Sequence, residues 1–172
     1  MWLQNATVCI VNLNSAQFFL ILHNIRSAQN VGAIFRTADA VGIQKIYLTG
    51  YTPAPLDRFN RADNKIAKTA LGAEKIIPWE SCKSVGALIK RLKKSGVHIV
   101  AGEQSPSAVS CTKWKPKFPL AIILGNEVLG VSSAILRVCD EVVEIPMRGA
   151  KESLNVSVAA GIILFKASES LT

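Results

Sequence analysis

Neither of the glycine signatures that mark the commonest nucleotide sites occurs in this sequence. No GxGxxG follows a strand-like run and no GxxxxGK[ST] is present, which leaves a dinucleotide fold or a P-loop unsupported. The four cysteines, Cys9, Cys82, Cys111 and Cys139, form no CxxC pair and have no histidine at the short spacings of zinc or redox motifs. They read as reduced thiols of a cytoplasmic protein that holds no metal. His23 and His98 each stand alone on or beside an apolar run, where a structural imidazole outweighs a general base. Positions 1–15 lack both a basic leader and a long apolar run, so no signal peptide or membrane span is expected there. Acidic residues are scarce. Twenty Lys and Arg against twelve Asp and Glu leave a formal charge of +8, an imbalance that favours polyanionic partners such as RNA, DNA or an acidic membrane surface.

Core-forming residues are abundant instead. They make up 49% of the 172 positions, enough for one domain to bury a core without disulfides. A continuous apolar run at 18–22 reads as a strand, and Val31, Ile34, Phe35, Ala38 and Val41 fall at helical spacing within 30–41. The alternation continues with a strand at 45–49, a helix at 60–71 stopped by Gly72, a strand at 75–78, a helix at 81–94 closed by Gly96 and a strand at 97–101. A polar stretch at 102–119 reads as a long surface loop. Beyond it come a strand at 120–124, a helix at 132–138 capped by Ser132, a strand at 141–145 and a last helix at 154–168. Strands separated by helices predict a single α/β domain over 18–170, its sheet mostly parallel and covered by helices on both faces. Positions 1–17 are expected to form an N-terminal extension.

Open α/β sheets bind ligands beyond the carboxyl ends of their strands, and three glycine-bearing segments stand there. In NVGAIFR, at 30–36, Asn30 is placed to cap a helix and Arg36 follows a turn and a half later. An ordinary capped helix with a solvated arginine fits equally. In LGNEVLG, at 124–130, Gly125 exposes backbone to a ligand, or the segment is a plain strand-to-helix turn. In IPMRGAKESLNVSVA, at 145–159, Ser153, Asn155 and Ser157 are poor helix formers interleaved with Leu154, Val156 and Val158. That pattern suits a segment that runs extended past a ligand before becoming helical, the alternative being a helix start capped by Ser153.

In this order and spacing the three segments resemble the motifs of the SpoU (TrmH-type) RNA ribose 2′-O-methyltransferases of the SPOUT superfamily. The resemblance covers about 18–168 and is most complete over the third motif. It implies a C-terminal trefoil knot, S-adenosylmethionine bound in the knot, an RNA substrate (tRNA or rRNA), and a homodimer meeting through the knot regions. By matching position, the cofactor would be held by backbone around Ala101, Gly102, Glu103, Leu124, Gly125, Ile145, Met147, Ser153 and Leu154. Asn30, Arg36, Glu127, Ser153 and Asn155 match the polar residues assigned to substrate and catalysis. Arg36 would be the base or, because a guanidinium rarely yields its proton, a fixed cation on a substrate phosphate.

Many relatives carry an N-terminal RNA-binding module that this sequence lacks, so RNA contacts are expected from the domain itself. The candidates are Arg58, Arg61, Lys65 and Lys68, the basic stretch 83–94, and the loop 113–117. There Trp114 and Phe118 would stack on a base or lie buried. Two rival functions are a base-nitrogen methyltransferase of the same fold and a catalytically idle RNA-binding or assembly protein.

Overall fold

The computed structural model describes residues 17–171; the expected extension at 1–17 lies outside them except for Gln17, as does Cys9. Among the described residues seven strands form one sheet: β1 (Phe18–His23), β2 (Lys45–Thr49), β3 (Trp79–Cys82), β4 (His98–Gly102), β5 (Val109–Ser110), β6 (Leu120–Leu124) and β7 (Glu141–Glu144). Their order is β3-β2-β1-β6-β4-β7-β5, and every pairing is parallel. The mostly parallel sheet read from the sequence is therefore wholly parallel. Central strands buried on both faces explain the unbroken apolar runs: all five residues of β6 are buried, as in parallel sheets generally.

The helices are α1 (Ala28–Ala40), α2 (Asn64–Ala70), α3 (Ala73–Ile76), α4 (Val85–Lys94), α5 (Ser133–Leu136) and α6 (Val156–Ser168). On one face, Leu20, Leu22, Ile46, Leu48, Val100 and Ile122 pack against Ile34 and Phe35 of α1, Ile66 of α2 and Ile163 and Leu164 of α6. On the other, Ile21, Tyr47, Ile99, Ala121 and Ile123 meet Leu88, Ile89 and Leu92 of α4 and Ile135 of α5. The period-two alternation of the strands divides these two sets. Among the described residues no helix is long and apolar enough to cross a membrane.

Several boundaries differ from the sequence reading for local reasons. Ser27, not Asn30, caps α1, its side chain accepting the Asn30 N–H. The helix read at 60–71 begins only at Asn64, because Asp63 accepts the N–H groups of Lys65 and Ile66 as its cap. The strand read at 75–78 is the helical turn α3, entered from left-handed Gly72, and the strand follows it at Trp79–Cys82. The loop at 102–119 contains the short strand β5. Ahead of α6, residues 145–155 form no helix or strand, and Asn155 rather than Ser153 is the cap.

Candidate active site

Strands β4, β6 and β7 lie side by side and end together, and a cavity of about 370 Å³ opens beyond their carboxyl ends. Gly102 and Glu103 line it from the end of β4, Leu124 and Gly125 from β6, and Ile145, Met147, Ser153 and Leu154 from the extended segment after β7. Every residue matched to cofactor binding therefore borders this space except Ala101, which is buried in the core on the other face. Val156 and Ile163 of α6 add an apolar wall. Among the described residues the lining includes four glutamates, Glu103, Glu127, Glu144 and Glu152, and no Lys or Arg. In a chain of net charge +8 this local reversal of sign favours a cationic ligand.

Glycines let the loop after β6 fold tightly. A Cβ on Gly125 would collide with the backbone of Gly130, to which the loop returns through paired Asn126 and Gly130 backbone bonds. Gly130 adopts φ +63°, and a Cβ there would strike the Glu103 carboxylate. That carboxylate accepts the Val131 N–H at 2.7 Å and the Gln104 N–H at 2.8 Å, tying the ends of β4 and β6 into one rim. Asn126, 7% exposed, braces the loop from within. Its Oδ1 accepts the N–H groups of Val128 and Leu129, while its Nδ2 donates to the Asn24 carbonyl and to the Tyr51 hydroxyl.

Three of the predicted polar residues meet at the rim. Glu127 Oε2 accepts the Arg26 N–H at 3.0 Å; Oε1 accepts the Ser27 N–H at 3.1 Å and Asn30 Nδ2 at 3.0 Å. Asn155 Nδ2 in turn donates to Asn30 Oδ1 at 3.2 Å. Burial pushes the Glu127 carboxyl up, but the N–H groups of Arg26, Glu127 itself, Asn30 and Ser27 outweigh it and hold the group below its ordinary 4.5. An ionised carboxylate only accepts. Asn30 must then turn its NH₂ toward Glu127 and its carbonyl toward Asn155, whose own oxygen is engaged by the Ser157 N–H at 2.8 Å. The charge on Glu127 thus sets the polarity of the whole row.

Ser153 lines the cavity itself, whereas the remaining predicted residues stand apart. Arg36 is exposed on α1, six residues or about 9 Å along the axis from Asn30, and is not among the cavity's lining residues. Arg58, Arg61, Lys65 and Lys68 are all exposed beyond β2. In the 83–94 stretch Arg91 is paired with Glu80 and Lys93 with Asp140. Trp114 is 3% exposed with its Nε1 donating to Glu141, and Phe118 lies edge-on to Phe18. These rings lie in the fold rather than offering faces to a base. Sequence reasoning missed Asn126 and Tyr51. Asn126 sits inside the second motif, where its type alone marked it; nothing local pointed to Tyr51.

Residues 17–165 match the model of the SpoU rRNA Methylase family. The chain is 37% identical over 154 residues to the 23S rRNA (guanosine-2′-O-)-methyltransferase RlmB of Shewanella oneidensis, covering 87% of this chain and 58% of that one. Among solved structures, the AdoMet-bound rRNA methyltransferase of Sinorhizobium meliloti superposes with TM-score 0.81 at 28% identity, over 91% of this chain and 57% of that one. The A. aeolicus TrmH/SpoU tRNA modifying enzyme superposes with TM-score 0.78 at 30% identity, over 90% and 75%. The chain spans about three fifths of the length of the curated relatives it matches. With its parallel sheet, its cavity beyond β4, β6 and β7, and Asn30, Glu127 and Asn155 hydrogen-bonded beside it, the chain belongs to the SpoU rRNA methylase family.

Proposed function

We propose that this chain transfers a methyl group from S-adenosylmethionine to a ribose 2′-hydroxyl of tRNA or rRNA, as a cytoplasmic homodimer. The observation that carries the reading is the acidic, apolar-walled cavity with Asn30, Glu127 and Asn155 hydrogen-bonded at its rim. The lining residues fit the donor: apolar walls such as Val156 and Ile163 suit an adenine ring, and the glutamates suit a sulfonium. When bound, S-adenosylmethionine supplies an electrophilic methyl that needs no metal. The protein's task is then alignment of the 2′-oxygen and removal of its proton. Asn30 and Asn155, held by ionised Glu127, orient the ribose, with Ser153 beside the donor. Arg36, outside the cavity of its own subunit, reaches across the homodimer to the partner's cavity as a fixed cation on a substrate phosphate and on the developing alkoxide, since a guanidinium rarely yields its proton.

Two further features belong to this reading. The C-terminal segment threads to form a trefoil knot, supported by the placement of β6 between β1 and β4 and by the run of residues 145–155 along the cavity. The homodimer is supported by α6, whose Val158, Ile162 and Phe165 form a stripe 50%, 39% and 53% exposed, a pattern characteristic of an interface helix. Arg58, Arg61, Lys65 and Lys68 supply backbone contacts to RNA. The test is to incubate RNA from a strain lacking the gene with the protein and methyl-labelled cofactor. Label on a 2′-oxygen supports the reading, label on a base nitrogen replaces it with the rival chemistry, and no label across a range of salt leaves an RNA-binding protein without catalysis.

A further inference from the structure

Between β2 and α2 the chain projects a small closed loop. Leu56 and Ala62 bridge antiparallel at its neck, and the Asp57 N–H donates to the Arg61 carbonyl at 2.9 Å. The exposed Asp57 carboxylate braces the loop: Oδ1 accepts the Phe59 N–H at 2.8 Å and the Arg61 N–H at 2.9 Å, and Oδ2 accepts Arg61 Nε at 2.8 Å. Asn60 completes the turn in the left-handed region at φ +60°. At the tip of this braced loop stands Phe59, 60% exposed. The Arg58 guanidinium lies 4.7 Å from its ring centre and that of Arg61 5.0 Å.

We propose that Phe59, with Arg58 and Arg61, is a stacking platform for an unpaired nucleobase of the RNA substrate, outside the methyl-transfer cavity; the inference rests on the RNA-methylating function proposed above. Unpaired bases are gripped by aromatic rings and by guanidinium planes, and a guanidinium stacked on a ring keeps its N–H edge free for phosphate. The loop offers all three groups at one tip. Asp57 is paired with Arg61, and with Arg58 beside them the loop keeps a net positive charge. A braced loop also loses little conformational freedom when it binds. The same β2–α2 connection also carries Tyr51, whose hydroxyl accepts a hydrogen bond from Asn126 in the cavity rim at 2.9 Å.

The test uses the full chain and two probes, a short fluorescein-labelled single-stranded RNA and a blunt duplex of the same length. Phe59→Ala is expected to weaken single-strand binding about tenfold, with an unchanged melting temperature, little effect on the duplex and an unchanged salt slope. Arg58→Ala is expected to lower the salt slope by about one. Phe59→Trp is expected to retain affinity, and its emission above that of the parent protein to be quenched by the single strand. Single-strand affinity unchanged in Phe59→Ala, or a tryptophan at 59 that RNA does not quench, overturns the platform even if methyl transfer to RNA is intact. Absence of RNA binding and labelling in the parent protein overturns the underlying function, and the platform with it.

Discussion

Asn155 donates a hydrogen bond to Asn30 across 125 positions of the chain, at 3.2 Å. Asn155 also caps α6 through the Ser157 N–H, so the residue that starts the last helix fixes the outward face of a side chain on the first. Glu127 holds the opposite face of Asn30.

Removing the middle of this row separates its parts. Asn30→Ala should leave Glu127 with only backbone donors and free Asn155 to turn. The expected loss is about 1–2 kcal/mol of stability and about 100-fold in kcat/KM, with cofactor affinity little changed. Thermal melting, calorimetric titration with S-adenosylmethionine and labelled-methyl kinetics would measure these three quantities.

Arg36→Ala should abolish turnover while sparing cofactor binding, because Arg36 lies outside the cavity. Arg36→Lys should restore only a small part, since an ammonium lacks the guanidinium's forked geometry. Substantial methyl transfer by the alanine variant would remove Arg36 from the mechanism.

The two glycines of the cavity should respond differently. Gly125→Ala drives a Cβ into the Gly130 backbone, whereas at Gly102 it meets the side-chain ends of Ile163 and Leu124 at 2.8 Å. Backbone yields less than side-chain tips. Gly125→Ala should therefore be the more destabilising, by about 1–3 kcal/mol, and should lose cofactor binding; comparing melting temperatures and titrations of both variants checks the order.

Burial lowers the pKa of His23 from its ordinary 6.5. Its Nδ1 pairs with Thr49 Oγ1 at 2.8 Å, and Nε2 accepts from Asn24 Nδ2 at 3.1 Å, an acceptor that protonation would remove. The unfolded chain takes up this proton below 6.5 while the folded chain resists it. The stability it contributes is thus full above 6.5 and lost as pH falls toward the lowered value. Melting temperature against pH should show this limb, flattened in His23→Gln.

The apolar stripe of α6 gives a separate prediction. Phe165→Glu or Ile162→Glu should shift sedimentation from dimer to monomer while preserving the far-ultraviolet spectrum. An unchanged dimer would place the interface elsewhere.

The fold was legible where periodicity and burial coincide. The runs 18–22 and 120–124 are buried on both sides and could be read as central strands, and α1 showed its buried stripe through Val31, Ile34, Phe35 and Ala38. The edge was not. Trp79, Glu80, Ser81 and Cys82 form a strand paired on one side only, with no fully buried residue to mark it, while the β-branched pair Ile76 and Ile77 imitated a strand just before it. The candidate site residues came from the family resemblance, and the hydrogen bonds among them had no signal in the sequence. The Asn30–Glu127 contact joins positions 97 apart, and no local pattern encodes it. Phe59 stayed unread because an isolated aromatic in a polar stretch carries no periodic signal; only the loop's internal bonds single it out.

The most direct measurement is nucleoside analysis of RNA methylated by the protein in the presence of labelled S-adenosylmethionine, run beside the Asn30→Ala variant. The account predicts label in a 2′-O-methylated nucleoside whose phosphodiester resists alkali, and a rate about 100-fold lower in the variant. Label on a base, or equal rates for the two proteins, would contradict it.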